Sequence, residues 1–122
     1  GRDVSITRNL TASGTISDGG GNIRAITSNS KSGAYTLSVD DVGELINTSS
    51  GVTVPSGTLS AGDAITIFNS STSDITITEG SSVTMYLAGS STTGDRTLAQ
   101  KGVATVLCVG TDTFTILGGG LS

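Results

Sequence analysis

Residues 64–88 read AITIFNSSTSDITITEGSSVTMYLA, three short runs of alternating apolar and hydroxyl residues separated by turns rich in Ser, Asp and Gly. Alternation with a period of two is typical of β-strands that bury one face and expose the other. The segment therefore predicts three strands with an aliphatic inner face. Their outward residues are predicted to include Thr66, Thr76, Thr78 and Thr84.

The same alternation continues towards both ends of the chain. Tyr35, Leu37 and Val39 share one parity. Residues 52–54 form a further run before Pro55, whose missing N–H predicts that this strand ends there or lies at an edge. Strands thus recur about every ten residues, and no stretch has helical periodicity.

Residues 103–110, VATVLCVG, are apolar at both parities, which predicts a central strand covered on both faces. Residues 69–74 are predicted to form a hairpin loop. The fold class that follows is all-β, an antiparallel β-sandwich or a small, jelly-roll-like barrel. Repeats of fixed period, which would indicate a β-solenoid, are not recognisable.

The first part of the chain has a different texture. In residues 1–30 the apolar side chains stand at wide intervals among Ser, Thr and Asn, and residues 18–22 read DGGGN. This is too little apolar surface for a separate core. We expect an extended, strand-rich arm over residues 1–30 that packs on another subunit or another protein, with a flexible leader as the alternative. The β-domain is predicted to span residues 31–122.

The composition excludes several classes of protein. With six Lys and Arg against ten Asp and Glu, the formal net charge is −4, and the chain lacks the basic stripe that nucleic-acid binding requires. No run of about twenty apolar residues is present, so no membrane insertion is predicted. Aromatic residues make up only 3%. The core should therefore be thin and aliphatic, which favours association with other copies.

Candidate catalytic chemistry is sparse. The chain has no His, the side chain most often used for acid–base catalysis at neutral pH. Asp40, Asp41 and Glu44 form the densest carboxylate cluster, but their spacing does not match a calcium-binding loop, and we interpret it as a solvated turn. Cys108 lies in an apolar run and is interpreted as a small buried hydrophobe. We predict a non-enzymatic protein with no catalytic, cofactor-binding or metal-binding residue.

Two other patterns follow from the abundance of small residues. Asn9, Asn47 and Asn69 each begin an N-glycosylation acceptor pattern, which a chain so rich in Ser and Thr produces almost freely. The glycine runs at 19–21 and 118–120 are interpreted as joints or as close-packing points where a Cβ would not fit.

Several segments together resemble a known family. They are residues 34–37 (AYTL), 41–43 (DVG), 52–55 (VTVP), 61–69 (AGDAITIFN), 75–78 (ITIT), 96–99 (RTLA), 102–107 (GVATVL) and 114–122 (FTILGGGLS). In this order and spacing they resemble a β-domain of tailed-bacteriophage virion proteins, especially the C-terminal part of tail-fibre-like structural proteins of marine cyanophages. Residues 8–16 are similar to the strand-rich linkers upstream of such domains.

The resemblance covers about residues 31–122 and implies a homotrimeric virion part without catalytic residues. We therefore expect a fibre-like or capsid (head) decoration protein that attaches to other virion proteins through residues 1–30. The alternative is a receptor-binding module for host surface glycan. Tyr86, which stands at an outward parity, would then be the aromatic ring on which a sugar stacks. The other interpretation of Tyr86 is a packing residue at a subunit contact. A bacterial surface or matrix subunit shares the same composition.

Overall fold

The computed structural model describes residues 3–23 and 25–122; residues 1, 2 and 24, which belong to the predicted arm, lie outside the described residues. The described strands are β1 (Ser17–Asp18), β2 (Gly21–Asn22), β3 (Ser28–Lys31), β4 (Tyr35–Thr36), β5 (Leu45–Thr48), β6 (Val52–Val54), β7 (Ala64–Asn69), β8 (Ile75–Glu79), β9 (Thr84–Leu87), β10 (Arg96–Gly110) and β11 (Thr113–Leu121). A 3₁₀ helix, Val39–Asp41, lies between β4 and β5.

Six of these strands form two parallel stacks, between which the chain alternates as it advances. In the first stack β3, β5 and β7 lie side by side, with Ser28, Leu45 and Thr66 in register. In the second stack β4, β6 and β8 lie side by side in the same way. Neighbouring parallel strands need a crossover connection. Here each crossover within one stack contains one strand of the other stack. The chain therefore winds through three turns of a coil.

The long strand β10 joins the two stacks. Its first residues pair antiparallel with β8 and its later residues pair antiparallel with β7. Between these two parts the strand bends at Lys101, where φ is 60°. A Cβ on Gly102 would lie 2.9 Å from the backbone carbonyl oxygen of Ala99, so the bend needs a residue without a side chain. Because β11 pairs with both β10 and β9, the nine strands form a nearly closed, barrel-like sheet.

The core lies inside this sheet and is aliphatic, as predicted. Ile46, Ile67 and Ala104 are neighbours in register, and all three are fully buried. Phe114 and Met85 meet in the same way where β11 pairs with β9. Burying one large apolar side chain contributes about 2 kcal/mol, so these inward rows are the main attraction that holds the sheet together.

The all-β prediction of a sandwich or barrel is confirmed, and the strand pairing is mixed where the sequence analysis expects antiparallel pairing. Within the described residues five of the strand pairings are parallel. The prediction that residues 69–74 form a hairpin loop is wrong, since β7 and β8 do not pair and β10 lies between them. The segment is instead a corner that carries the chain from one stack to the other.

Three smaller predictions meet different outcomes. Strand β6 ends at Val54, directly before Pro55, as expected. The boundary predicted between residues 30 and 31 falls inside β3. Strand β10 is central in the sheet, but the described residues fully bury only one of its faces: on the other, Val103 and Val109 are 42% and 52% exposed.

Candidate assembly surfaces

The arm presents apolar side chains to solvent. Each described residue from 3 to 20 is exposed. The large aliphatic residues of the arm are between 38% and 84% exposed, and they are Val4, Ile6, Leu10, Ile16, Ile23 and Ile26. Single exposed apolar residues are normal, but a series of them along one short segment makes the arm a candidate contact surface.

A small hairpin, β1–β2, gives the arm its local structure. The N–H of Gly20 donates to Oδ1 of Asp18 at 2.8 Å, and the hydroxyl of Thr27 donates to the carbonyl of Gly20 at 2.5 Å. Gly21 has φ of +113°, which a side chain would strain. The interpretation of residues 19–21 as joints or close-packing points is therefore confirmed at Gly21, where a Cβ would also lie 2.6 Å from Oγ1 of Thr27. A cleft of about 360 Å³ separates this hairpin from the start of β5 and is lined in part by Asp18 and Glu44.

The end of the coil nearest the arm is closed by polar side chains. The hydroxyl of Tyr35 donates to Oδ2 of Asp41 at 2.8 Å, and the same oxygen accepts the N–H of Ser38 at 2.7 Å. The ammonium group of Lys31 lies 4.3 Å from the centre of the Tyr35 ring, within the range of a cation–π interaction. Burial, and then the hydrogen bond to the Asp41 carboxylate, raise the pKa of Tyr35 to about 12.

The carboxylate cluster of residues 40–44 has a structural use. The interpretation as a solvated turn is wrong for Asp41 and Glu44, which are buried, and holds for Asp40, which is exposed. The side-chain amide of Asn29 donates to Glu44, so both buried carboxylates accept hydrogen bonds from the first turn of the coil. Among the residues that the structure describes, no group of three or more His, Cys, Asp or Glu could hold a metal ion.

Cys108 is buried, and its thiol donates to the carbonyl of Gly110 at 3.1 Å, which confirms its interpretation as a core residue. The three asparagines of the acceptor patterns differ in accessibility. Asn9 is exposed and Asn47 is half-buried, whereas Asn69 is fully buried. The amide of Asn69 donates to the carbonyls of Ser73, Leu98 and Ala99, so this nitrogen is engaged in the core.

Tyr86 lies on β9 and is 38% exposed, with Thr115 of β11 as its register neighbour. An isolated bridge pairs it with Thr93 of the following loop. The side chain of Tyr86 is therefore partly open to solvent, as its outward parity predicts.

One surface was not expected from the sequence, because both faces of residues 103–110 were predicted to be covered. Val103 and Leu117, on β10 and β11, point away from the core and are 42% and 47% exposed. The signal was present, since the apolar residues at both parities of residues 103–110 indicate two faces that avoid water. The structure buries the inner face and leaves the outer one partly exposed.

No protein-family model, no curated protein and no solved structure matches this chain. Within residues 3–23 and 25–122, moreover, no helical segment has the length and apolar character needed for a membrane span.

Proposed function

We propose that this chain is a structural, non-enzymatic component of a phage virion, a trimeric fibre-like or capsid-decoration protein that attaches to other virion proteins through residues 1–30. The observation that carries this proposal is the contrast between the two parts of the chain. The arm exposes its aliphatic side chains, whereas the β-domain buries most of its own.

The energetics of the arm support a docking role. Covering one large aliphatic side chain completely contributes about 1.5–3 kcal/mol. Val4, Ile6 and Leu10 lie on a stretch with no strand or helix of its own, so their exposed area can be buried against another protein without breaking existing structure. Ordering such a segment costs conformational entropy, and the apolar contact offsets that cost.

The β-domain supports the role of a rigid projecting body. Among the described residues, every buried side-chain nitrogen and oxygen has a hydrogen-bond partner. Buried polar groups that are fully satisfied favour a single packed state over alternatives. In this proposal the arm makes the contact with the larger particle, and the β-domain remains folded and projects from it.

The proposal is tested by quantitative mass spectrometry of purified particles of the phage that encodes this chain, with the wild type and two full-length variants. The first replaces Val4, Ile6 and Leu10 by Ser. The matched control replaces the neighbouring polar residues Thr7, Asn9 and Thr11 by Ser. We expect all three proteins to melt at the same temperature, and only the apolar variant to be missing from particles.

Two results contradict the proposal. Absence of the wild-type chain from purified particles would remove the virion role. Normal incorporation of the apolar variant would show that residues 1–30 are not the attachment segment.

Recognition of host surface glycan is a second candidate function, favoured by the exposure of Tyr86 on β9. It differs from the first in its readout, because a receptor-binding module must retain sugar binding as a free protein. A glycan array with the purified chain separates the two candidates.

A further inference from the structure

The tip of the β1–β2 hairpin brings a carboxyl group and an unhindered main-chain nitrogen together. Asp18 is the only Asp of the chain that is followed by Gly. A side-chain carboxyl can react with the main-chain nitrogen of the next residue, and Gly hinders this approach least because it has no Cβ. Among the described residues, nothing lies within 4 Å of the position of a Cβ on Gly19. The surrounding structure therefore does not crowd this nitrogen.

Other aspartates of the chain lack this combination. Oδ1 of Asp112 accepts the N–H of Gly57 at 2.7 Å, which ties its carboxylate to a distant loop of the β-domain. Asp74 is exposed like Asp18, but the residue that follows it is the β-branched Ile75, which is buried and begins β8. Exposure of the carboxyl group and access to the next nitrogen thus coincide at Asp18.

The hairpin that carries Asp18 is held by few contacts. In the part of the chain that the structure describes, β1 and β2 pair only with each other, and both residues of β1 are exposed. Beyond this pairing, the N–H of Ile23 donates to the carbonyl of Ile16 at 2.9 Å. An isolated two-stranded hairpin is marginally stable, and elements with few buried contacts open locally at low free energy. We therefore expect the turn to open while the β-domain stays folded.

A second carboxylate faces the turn from the β-domain. The point at which a Cβ on Gly20 would lie is 3.3 Å from Oδ1 of Asp18 and 3.8 Å from Oε1 of Glu44. Glu44 is buried and accepts a hydrogen bond from Asn29, whereas Asp18 is exposed. Two carboxylates this close repel each other. Movement of the hairpin away from Glu44 relieves the repulsion, so the charges favour the opening that brings the Asp18 carboxyl to the Gly19 nitrogen.

We infer that Asp18 and Gly19 form a self-modification site, at which the chain converts Asp18 to isoaspartate without an enzyme. The nitrogen of Gly19 attacks Cγ of Asp18. The proton of this nitrogen leaves with the carboxyl hydroxyl as water, and a succinimide ring remains. Water then adds to the ring. Cleavage of the new N–Cγ bond restores aspartate, whereas cleavage of the original peptide bond gives isoaspartate, so that one water leaves and one enters.

Isoaspartate changes the hairpin because the main chain then passes through Cβ and Cγ of residue 18. The added carbon lengthens the turn, and the register of Asp18 with Gly21 no longer fits the two-residue connection between them. The hydrogen bond from the N–H of Gly20 to the side-chain oxygen of Asp18 is lost as well. The arm then loses this hairpin, whereas the nine-stranded sheet, which contains neither β1 nor β2, keeps its pairing. The inference is independent of the proposed function.

The test incubates the purified full chain at neutral pH in water enriched in heavy oxygen, followed by tryptic digestion in ordinary water. Trypsin releases residues 9–24, in which Asp18 has the only carboxylate side chain. Each passage through the succinimide places one heavy oxygen at residue 18, which mass spectrometry detects. Methylation by an isoaspartyl methyltransferase counts the isoaspartate product. The exposed Asp74 in the same sample is the internal control.

Two variants separate this reaction from general exchange of carboxyl oxygens. Gly19→Ala adds a methyl group for which the turn has room, so the fold should be kept and the label should enter severalfold more slowly. Asp18→Glu keeps the charge but would need a larger, more slowly formed ring, so label at residue 18 should fall to the level of Asp74. In the aged wild type, the amide NMR signals of Gly20 and Ile23 should shift and that of Val106 should not.

Three outcomes overturn the inference. The first is a wild type whose Asp18 takes up no more label than Asp74. The second is a Gly19→Ala variant that is labelled and methylated as fast as the wild type. The third is an aged wild type that contains isoaspartate but keeps the amide signals of Gly20 and Ile23 unchanged, which would show that the modification does not alter the hairpin.

Discussion

Gly118 of β11 lies directly beside Ala104 of β10, so close that a Cβ on Gly118 would be 2.7 Å from the Ala104 Cα and would overlap the carbonyl oxygen of Val103. The β10–β11 pairing therefore depends on the missing side chain at this position. The next residue, Gly119, has open space around the position of its Cβ. The interpretation of residues 118–120 as close-packing points is confirmed at Gly118 and not at Gly119.

This contrast predicts opposite results for two adjacent substitutions. Gly118→Ala should lower the free energy of unfolding by about 3 kcal/mol, because the added methyl group must push two paired strands apart. Gly119→Ala should leave it within about 0.5 kcal/mol of the wild type. Urea unfolding followed by circular dichroism measures both, and equal effects of the two substitutions would contradict the packing argument.

The buried asparagine at the end of β7 predicts a second difference in stability. Asn69→Ala removes the amide that donates hydrogen bonds to the carbonyls of Leu98 and Ala99, and these carbonyls lose that partner. Since unsatisfied buried groups are costly, we expect a loss of about 3 kcal/mol. Asn47→Ala, at a half-buried position on the outer side of β5, is the control and should cost about 0.5 kcal/mol. A mild effect of Asn69→Ala in the same urea experiment would show that water replaces the amide.

The raised pKa of Tyr35 predicts how stability depends on alkaline pH. Below pH 10 the phenol is neutral in the folded and the unfolded chain, so it contributes no slope. As pH rises from 10 to about 12 the unfolded chain loses this proton before the folded one does, and the free energy of unfolding falls. Tyr35→Phe should remove this part of the decline, and Tyr86→Phe should keep it.

The same shift can be read directly from ultraviolet absorbance. The chain has two tyrosines, so in Tyr86→Phe the tyrosinate signal belongs to Tyr35 alone. It should appear with a midpoint near pH 12 while the protein is folded. A midpoint near 10 in the folded protein would show that the hydrogen bond to Asp41 and the partial burial do not hold the phenol neutral.

The strands and their inward residues could be predicted from the sequence because alternation is a local property. Ile65 and Ile67, and likewise Ile75 and Ile77, stand at the inward positions that the parity assigns to them. Which strand pairs with which is not local. Ser28, Leu45 and Thr66 are in register but lie 17 and then 21 residues apart, so the coil has no fixed period that a sequence comparison within the chain could reveal.

The polar side chains that organise the fold were equally hard to predict. Asp41 and Asn69 belong to segments of Asp, Ser, Thr and Asn that look like ordinary turns. Each is buried because the tertiary structure brings several donors or acceptors to it, such as Tyr35 for Asp41. Residue type alone predicts exposure for both, and only the arrangement of the strands reverses that expectation.

Tyr86 offers a final prediction that separates sugar binding from packing between copies. If Tyr86 is a sugar platform, Tyr86→Ala should abolish binding on a glycan array and should leave the mass in solution unchanged, since the ring is 38% exposed on the single chain. Tyr86→Phe keeps the ring face, so it should retain most of the binding and serves as the control. Binding that survives Tyr86→Ala, or the absence of any glycan binding by the wild type, would remove this function. A change in mass without a change in glycan binding would assign Tyr86 to a contact between copies, because its side chain lies on the outer side of β9, beside Thr115 of β11.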